Sequence, residues 1–258
     1  MKRLKAIIGG ENRALWIAGA AAFFVGAVAT APASLAAAAA KAQNPLLEIG
    51  GAEGTIWRGG FSDVSHDGIY LGAVSYRLHP LALLTGRLAA DATANGGALS
   101  AKARISLSSG AIDISDVDAR FNLAAIRRYT VFGYRYQGVA SLTAERIALS
   151  KSACRAEGAR LSTNALDAIA RQWSGAALPL SGEASCVDGA LVITLNGENA
   201  DGGVKFAASI SADLAYSMTF TAEPRRNEIG AALRAYGFEG DNRQLSYRAA
   251  GRLRGLTS

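Results

Sequence analysis

Residues 99–107 read LSAKARISL. Leu99, Ala101, Ala103, Ile105 and Leu107 fall on one side of an extended chain, and Ser100, Lys102, Arg104 and Ser106 on the other. A period of two is that of a strand with one buried and one wet face. Residues 204–214 repeat it, with Val204, Phe206, Ala208, Ile210, Ala212 and Leu214 against Lys205, Ser209, Ser211 and Asp213. After a short turn, Tyr216, Met218 and Phe220 alternate with Ser217, Thr219 and Thr221. ADGG at 200–203 and VDG at 187–189 are hairpin signals. Strands near 189–197, 203–213 and 215–223 then form a meander, and similar runs lie near 69–78, 85–94, 111–121, 135–149 and 243–253. The expected fold is mainly β: a long curved antiparallel sheet with one wet face, whose apolar face is covered by a helix, a second layer, a partner or a lipid.

Two short amphipathic helices punctuate the strands. STNALDAIARQW (162–173) offers Ser162 or Thr163 as N-cap and a stripe of Leu166, Ile169, Ala170 and Trp173. NEIGAALRAYGF (227–238) offers Asn227 as cap, Ile229, Leu233 and Tyr236 on one side, and Gly237 as the stop. A third, weaker helix is expected over 122–129. Length allows one domain of ordinary or large size, or two small ones.

Between Ala14 and Ala40 there is no charged residue, while Lys2, Arg3, Lys5 and Arg13 precede or open that run. The spacing predicts a transmembrane helix over 14–34, with the basic tail 1–13 cytoplasmic by the positive-inside rule. The alternative is a signal peptide cleaved in ATAPASLAAAAA, which offers several small-residue sites. The Ala-rich run and KAQNP read as a linker over 35–45, and 46–258 as an exported β-rich domain.

Of the 27 basic and 21 acidic residues, four and one fall within 1–40. The rest of the chain is therefore nearly neutral, without the clustered basic face of a nucleic-acid binder. Cys154 and Cys186 are the two cysteines. An even count in an exported chain suggests one disulfide; two unrelated buried thiols are the alternative.

His66 sits in SHDG, a turn, and His79 precedes Pro80; neither has a Cys or Glu at ligand spacing. Asp113, Asp116 and Asp118 in AIDISDVDAR lack the Gly and closing Glu of a calcium loop and alternate like a wet strand face. Arg243, Arg248, Arg252 and Arg254 read as the solvent face of a last strand, opposite Leu245, Tyr247 and Leu253. No nucleophile elbow, phosphate loop or zinc motif occurs. No catalytic residue, metal ligand or cofactor site is expected, and the chain is read as not an enzyme.

The stretch GTIWRGGFSDVSHDGIYLGAVSYRLHPLALLTGRL begins at Gly54. It resembles the N-terminal signature of the type II secretion system protein N family: a G-x-(hydrophobic)-W-x-G element, then L-G-x-V-x-(W/Y)-x-L-x-P, then G-x-L. The matching residues here are Gly54, Ile56, Trp57 and Gly59, then Leu71, Gly72, Val74, Tyr76, Leu78 and Pro80, then Gly86 and Leu88. Tyr76 stands where a Trp is expected. The late order, a helix ending in YGF and a strand closing with GRLRG, is similar too. In this reading the motif residues Gly54, Trp57, Gly59, Gly72, Tyr76 and Pro80 are architectural, with Trp57 an anchor in the core; a Trp57 exposed at a partner-binding edge is the alternative.

The resemblance implies a single-pass inner-membrane protein with its bulk in the periplasm, an accessory of the machinery that exports folded proteins. Its partners would be other secretion-system subunits, met by sheet-edge addition, and the inner membrane; nucleic acid is not expected. The one-sided strands keep a second function open, a periplasmic lipid-binding or lipid-transfer protein with an apolar β-groove. An envelope hydrolase has only scattered Asp, Ser and His to offer.

Overall fold

The apolar run near the N-terminus is helical in the computed structural model, from Arg13 to Ala29 (α1). The structure describes residues 13–127, 130–131, 134–150, 153–241 and 243–252. α1 ends five residues short of the expected span. The Thr30 hydroxyl donates to the Gly26 carbonyl, and Pro32, which lacks an N–H, is extended at φ −72°, ψ 150°. Seventeen residues rise only about 26 Å, and among the described residues no helix is long and apolar enough to cross a membrane. A second helix, α2, runs Ala33–Gln43, where a linker was expected. Ala33 and Ala37 are buried one turn apart, and Lys41 Nζ donates to the Ile49 carbonyl at 2.8 Å.

The strands follow in chain order as β1 Leu47–Glu48, β2 Gly51–Gly54, β3 Arg58–His66, β4 Ile69–Leu78, β5 Leu88–Gly96, β6 Leu99–Ser108, β7 Ala111–Asn122, β8 Thr130–Val131, β9 Tyr134–Arg135, β10 Val139–Ser150, β11 Cys154–Glu157, β12 Arg160–Thr163, β13 Leu180–Val187, β14 Ala190–Asn199, β15 Gly202–Ile210, β16 Ala215–Pro224, β17 Glu239–Gly240 and β18 Leu245–Arg252. Sixteen of them form one open sheet in the order β1-β3-β4-β5-β6-β7-β10-β12-β13-β14-β15-β16-β18-β17, with β2 beside β3 and β11 beside β10. The pairings are antiparallel throughout. At a strand spacing of ~4.8 Å the sheet is roughly 60 Å across. Among the described residues β8 and β9 pair only with each other. The hairpin turns are local, as at Asp188–Gly189, where φ of +50° and +77° suits a tight primed turn.

Three short helices complete the chain: α3 Pro80–Leu83, α4 Asp167–Ser174 and α5 Asn227–Ala235. Of the expected stripe, Ile169 and Ala170 on α4 and Leu166 at its N-cap are buried, while Trp173 is half-buried. α4 begins later than expected, because Ser162 and Thr163 pair with β10 and β13 instead of capping. In α5 the cap is Arg226 rather than Asn227, and no side chain caps the helix. Tyr236, expected on its buried side, is 47% exposed. The helix expected over 122–129 is a single 3-10 turn, Leu123–Ala125, where Asn122 Oδ1 accepts from the Ala124 N–H at 3.1 Å; residues 128 and 129 lie outside the described ones.

α4 and α5 cover the last third of the sheet. Leu166 packs with Leu180 and Leu195, and Leu233 with Ala222, Phe238 and the fully enclosed Leu245. Phe220 meets the edge of Phe238 at 5.8 Å and of Phe206 at 6.3 Å. The cysteines are joined, Cys154 to Cys186, across a Cα separation of 5.7 Å. The ladder between β12 and β13 stops at Arg160 and Glu183, so the disulfide holds the sheet where β11 and β13 share no paired residues.

Candidate functional site: a helix clamp and an apolar trough

The motif residues converge on the junction between the N-terminal helices and the first strands. Thr55 lies between β2 and β3. Its N–H donates to the Arg58 carbonyl at 2.9 Å, and its hydroxyl accepts from the N–H groups of Trp57 and Arg58 at 3.3 Å. That tight loop aims Trp57 back at α1, and its indole Nε1 donates to the Val28 carbonyl at 2.8 Å. A helix leaves its last carbonyls without partners, so Trp57 satisfies one of them. Ile56 N–H meets the Ala31 carbonyl at 2.9 Å, and Pro32 bridges Thr55. Trp57 is half-buried: it sits at a joint rather than in a core.

Tyr76 supports the loop from the neighbouring strand. Its hydroxyl donates to the Thr55 carbonyl at 3.0 Å, its ring lies 5.0 Å from Phe61, and burial pushes its phenol above the usual value. Gly59, opposite both Gly54 and Tyr76, lets the layers touch. A Cβ there would lie 2.5 Å from the Glu53 carbonyl oxygen and 3.0 Å from Cβ of Ala33. Gly72 has φ +102°, and a Cβ would fall 2.1 Å from the Asn95 carbonyl oxygen. It marks a register shift against β3. Val74, Tyr76 and Leu78 share a face, but Tyr70, beyond Gly72, is 49% exposed. Pro80 opens α3 at its first turn, where a missing N–H costs nothing.

The polar groups singled out in the sequence are spread over the wet face. His66 ends β3 before the Asp67–Gly68 turn. His79 Nε2 lies 3.0 Å from Asp91 Oδ2, while Asp91 Oδ1 accepts from Arg104 Nε at 3.0 Å. Arg104, and His79 after it, hold the Asp91 carboxyl below its usual value. Arg104 also pairs with Asp116 at 3.3 Å, and Asp113 with Arg146. Asp118 faces Lys102 and Thr143 across the ladders. Asp116 has φ +53° at a bulge opposite β6, which brings Asp113 and Asp118 onto the same wet face, where the ion pairs of Asp113 with Arg146 and of Asp116 with Arg104 keep the carboxylates apart. Arg252 pairs with Asp213 at 2.6 Å. Arg243 and Arg248 are exposed; Leu253 and Arg254 lie outside the described residues. Among the described residues no three His, Cys, Asp or Glu stand together as metal ligands.

Directly opposed residues in a ladder share a face, which lets the apolar side be followed across the sheet. Val74 faces Ala94, Ala101 faces Ala119, and Leu142 faces Leu161. Gly182 then faces Leu195, Leu195 faces Phe206, and Phe206 faces Phe220. α2 covers the start of this face and α4 and α5 its end. Among the described residues only the short α3 touches β5, neither α2, α4 nor α5 packs on β6 and β7, and Leu88 and Leu107 remain 44% and 40% exposed. A groove of ≈ 730 Å³ opens where the uncovered face meets the C-terminal helices. The sheet has a second open feature, its far edge. β17 pairs only Leu245 and Ser246 of β18, and among the described residues Tyr247–Arg252 has no outer partner. The edge, the groove and the Trp57 clamp all escaped the sequence reading in detail. Each joins segments far apart in the chain, and only the period of two hinted at the groove.

The family model described as type II secretion system (T2SS), protein N matches residues 45–248. No curated protein and no solved structure matches the chain.

Proposed function

The chain belongs to the type II secretion system protein N family, and from that premise we propose that it is a non-enzymatic scaffold of the secretion apparatus. In this reading the basic tail ahead of α1 is cytoplasmic, the apolar helix α1 enters the inner membrane, residues 30–34 turn out of it onto the sheet where Pro32 bridges Thr55 and Ala33 is buried, and the chain from α2 onward stands in the periplasm. The observation that carries it is the clamp. The family motif is spent on joining an apolar helix to the sheet, Trp57 to Val28, rather than on lining a polar pocket. Leu15, Trp16, Phe23 and Phe24 of α1 are each at least 69% exposed, which suits a lipid surrounding. The disulfide fits an oxidising compartment.

Such a scaffold meets other subunits through backbone as well as side chains, and the free edge Tyr247–Arg252 suits addition of a partner strand. The test is a clean deletion with complementation, quantifying proteins in the medium, at the cell surface and in the periplasm. Accumulation of specific proteins in the periplasm, reversed by the restored chain, supports the reading; unchanged secretion sinks it. A second reading, periplasmic lipid binding, draws on a different observation, the apolar groove.

A further inference from the structure

The floor of the groove crosses seven neighbouring strands, from Ala140 on β10 through Leu161, Leu180, Leu195 and Phe206 to Met218 on β16 and on to β18. Seven strands span roughly 30 Å, and a bilayer core of ~30 Å is two acyl chains deep. A whole chain therefore fits along it, and ≈ 730 Å³ lies within the usual range of ligand pockets, about 300–1,000 Å³.

The chemistry of the floor selects the occupant. From β10 to β16 these are interior strands, whose N–H and C=O groups are engaged by ladders on both sides, and among the described residues only β18 at the far end has a free edge. A peptide laid across them would bury its own backbone unpaired, at about 1–3 kcal/mol for each lost group. A hydrocarbon chain has no such groups to satisfy.

One rim of the groove is formed by Leu123 and Tyr136. The exposed Arg127 and Arg135 stand four residues and one residue from them. Between Asp118 and Glu145 the sequence has no acidic residue, so the segment that supplies Leu123 and Tyr136 carries only basic charge, which complements an anion. We infer that the groove binds an acyl chain of an anionic glycerophospholipid, with the headgroup phosphate at Arg127 and Arg135. The inference rests on the lipid reading and is independent of a role in secretion.

The test uses the full chain in cells whose lipids carry radiolabelled acyl chains. A photoreactive phenylalanine analogue replaces Leu161 or Met218 in the groove, or Arg160 on the wet face. Formation of the Cys154–Cys186 disulfide, read on a non-reducing gel, confirms folding of each variant. Label transfer at Leu161 and Met218 an order of magnitude above that at Arg160 supports the site. Equal labelling at the three positions, or adducts with a second polypeptide in the groove, overturns it. Lipid found by mass spectrometry on the purified chain without groove labelling overturns the site alone; no lipid by either readout overturns the lipid reading as well. The double variant Arg127→Glu, Arg135→Glu lowers labelling by phosphatidylglycerol several-fold, and unchanged labelling overturns the headgroup assignment.

Discussion

The indole of Trp57 donates to the carbonyl of Val28, 2.8 Å away and 29 residues earlier in the chain. This bond fastens the end of α1 to the first hairpin. Replacing Trp57 with Phe keeps the ring and removes the donor. The expected cost is about 1 kcal/mol, felt locally. Amide exchange and limited proteolysis report it as faster opening around residues 29–43, with little change in the sheet.

Gly59 is the close-approach point beneath α2, where a Cβ would meet the Glu53 carbonyl oxygen at 2.5 Å, the Tyr76 hydroxyl at 2.9 Å and Cβ of Ala33 at 3.0 Å. Gly59→Ala is expected to destabilise by about 1–3 kcal/mol through overpacking. Gly60→Ala, whose nearest atom would lie at 3.5 Å, is the matched control and is expected to cost far less. Urea denaturation of both variants decides; equal midpoints refute the packing argument.

The disulfide closes a loop across a sequence separation of 32. Chain entropy makes it worth about 3.5 kcal/mol. Cys154→Ser with Cys186→Ser, or reduction, is expected to lower the denaturation midpoint accordingly. No change on reduction would show that the β11–β13 seam contributes nothing.

Leu245 is fully enclosed among Ala222, Leu233 and Phe238. Leu245→Ala removes buried surface and leaves a cavity, at about 2–5 kcal/mol. The same substitution at Leu107, 40% exposed, is expected to cost much less, and calorimetry separates the two.

Arg104 and His79 depress the Asp91 carboxyl, and backbone N–H groups of Gln244 and Arg243 depress Asp241. A carboxylate with a lowered folded value contributes stability that is fully present above its unfolded value. That contribution is lost as pH falls through the folded one. Stability should therefore decline below about pH 4, and Asp91→Asn should shallow that decline without altering behaviour near neutrality. Asp91 is 44% exposed on its side chain, so the effect is small. An acid limb identical to the wild type would refute it.

Much of the sheet was legible because alternation is local. β6 and β15 needed only their own residues to declare a wet and an apolar side. β12 was harder. Ser162 and Thr163 carry a helix-cap signal, but ladders with β10 and β13 claim them first. α2, where the sequence suggests a linker, is hard to see locally: an alanine run shows no apolar stripe, and its buried side is Ala33 and Ala37, small enough to sit on a glycine. The motif residues were visible in sequence, yet the receiver of the Trp57 indole was not.

The sequence by itself determined the strand periodicity, the two helices near the C-terminal end, the cysteine pair and the family motif, because each rests on residues close together or on residue type alone. The tertiary structure alone decided which face the helices cover, where that cover stops, and which carbonyl Trp57 meets. Those are contacts between distant segments. They depend on strand order and register summed over the whole sheet, and a one-residue slip in any ladder would turn the apolar face outward.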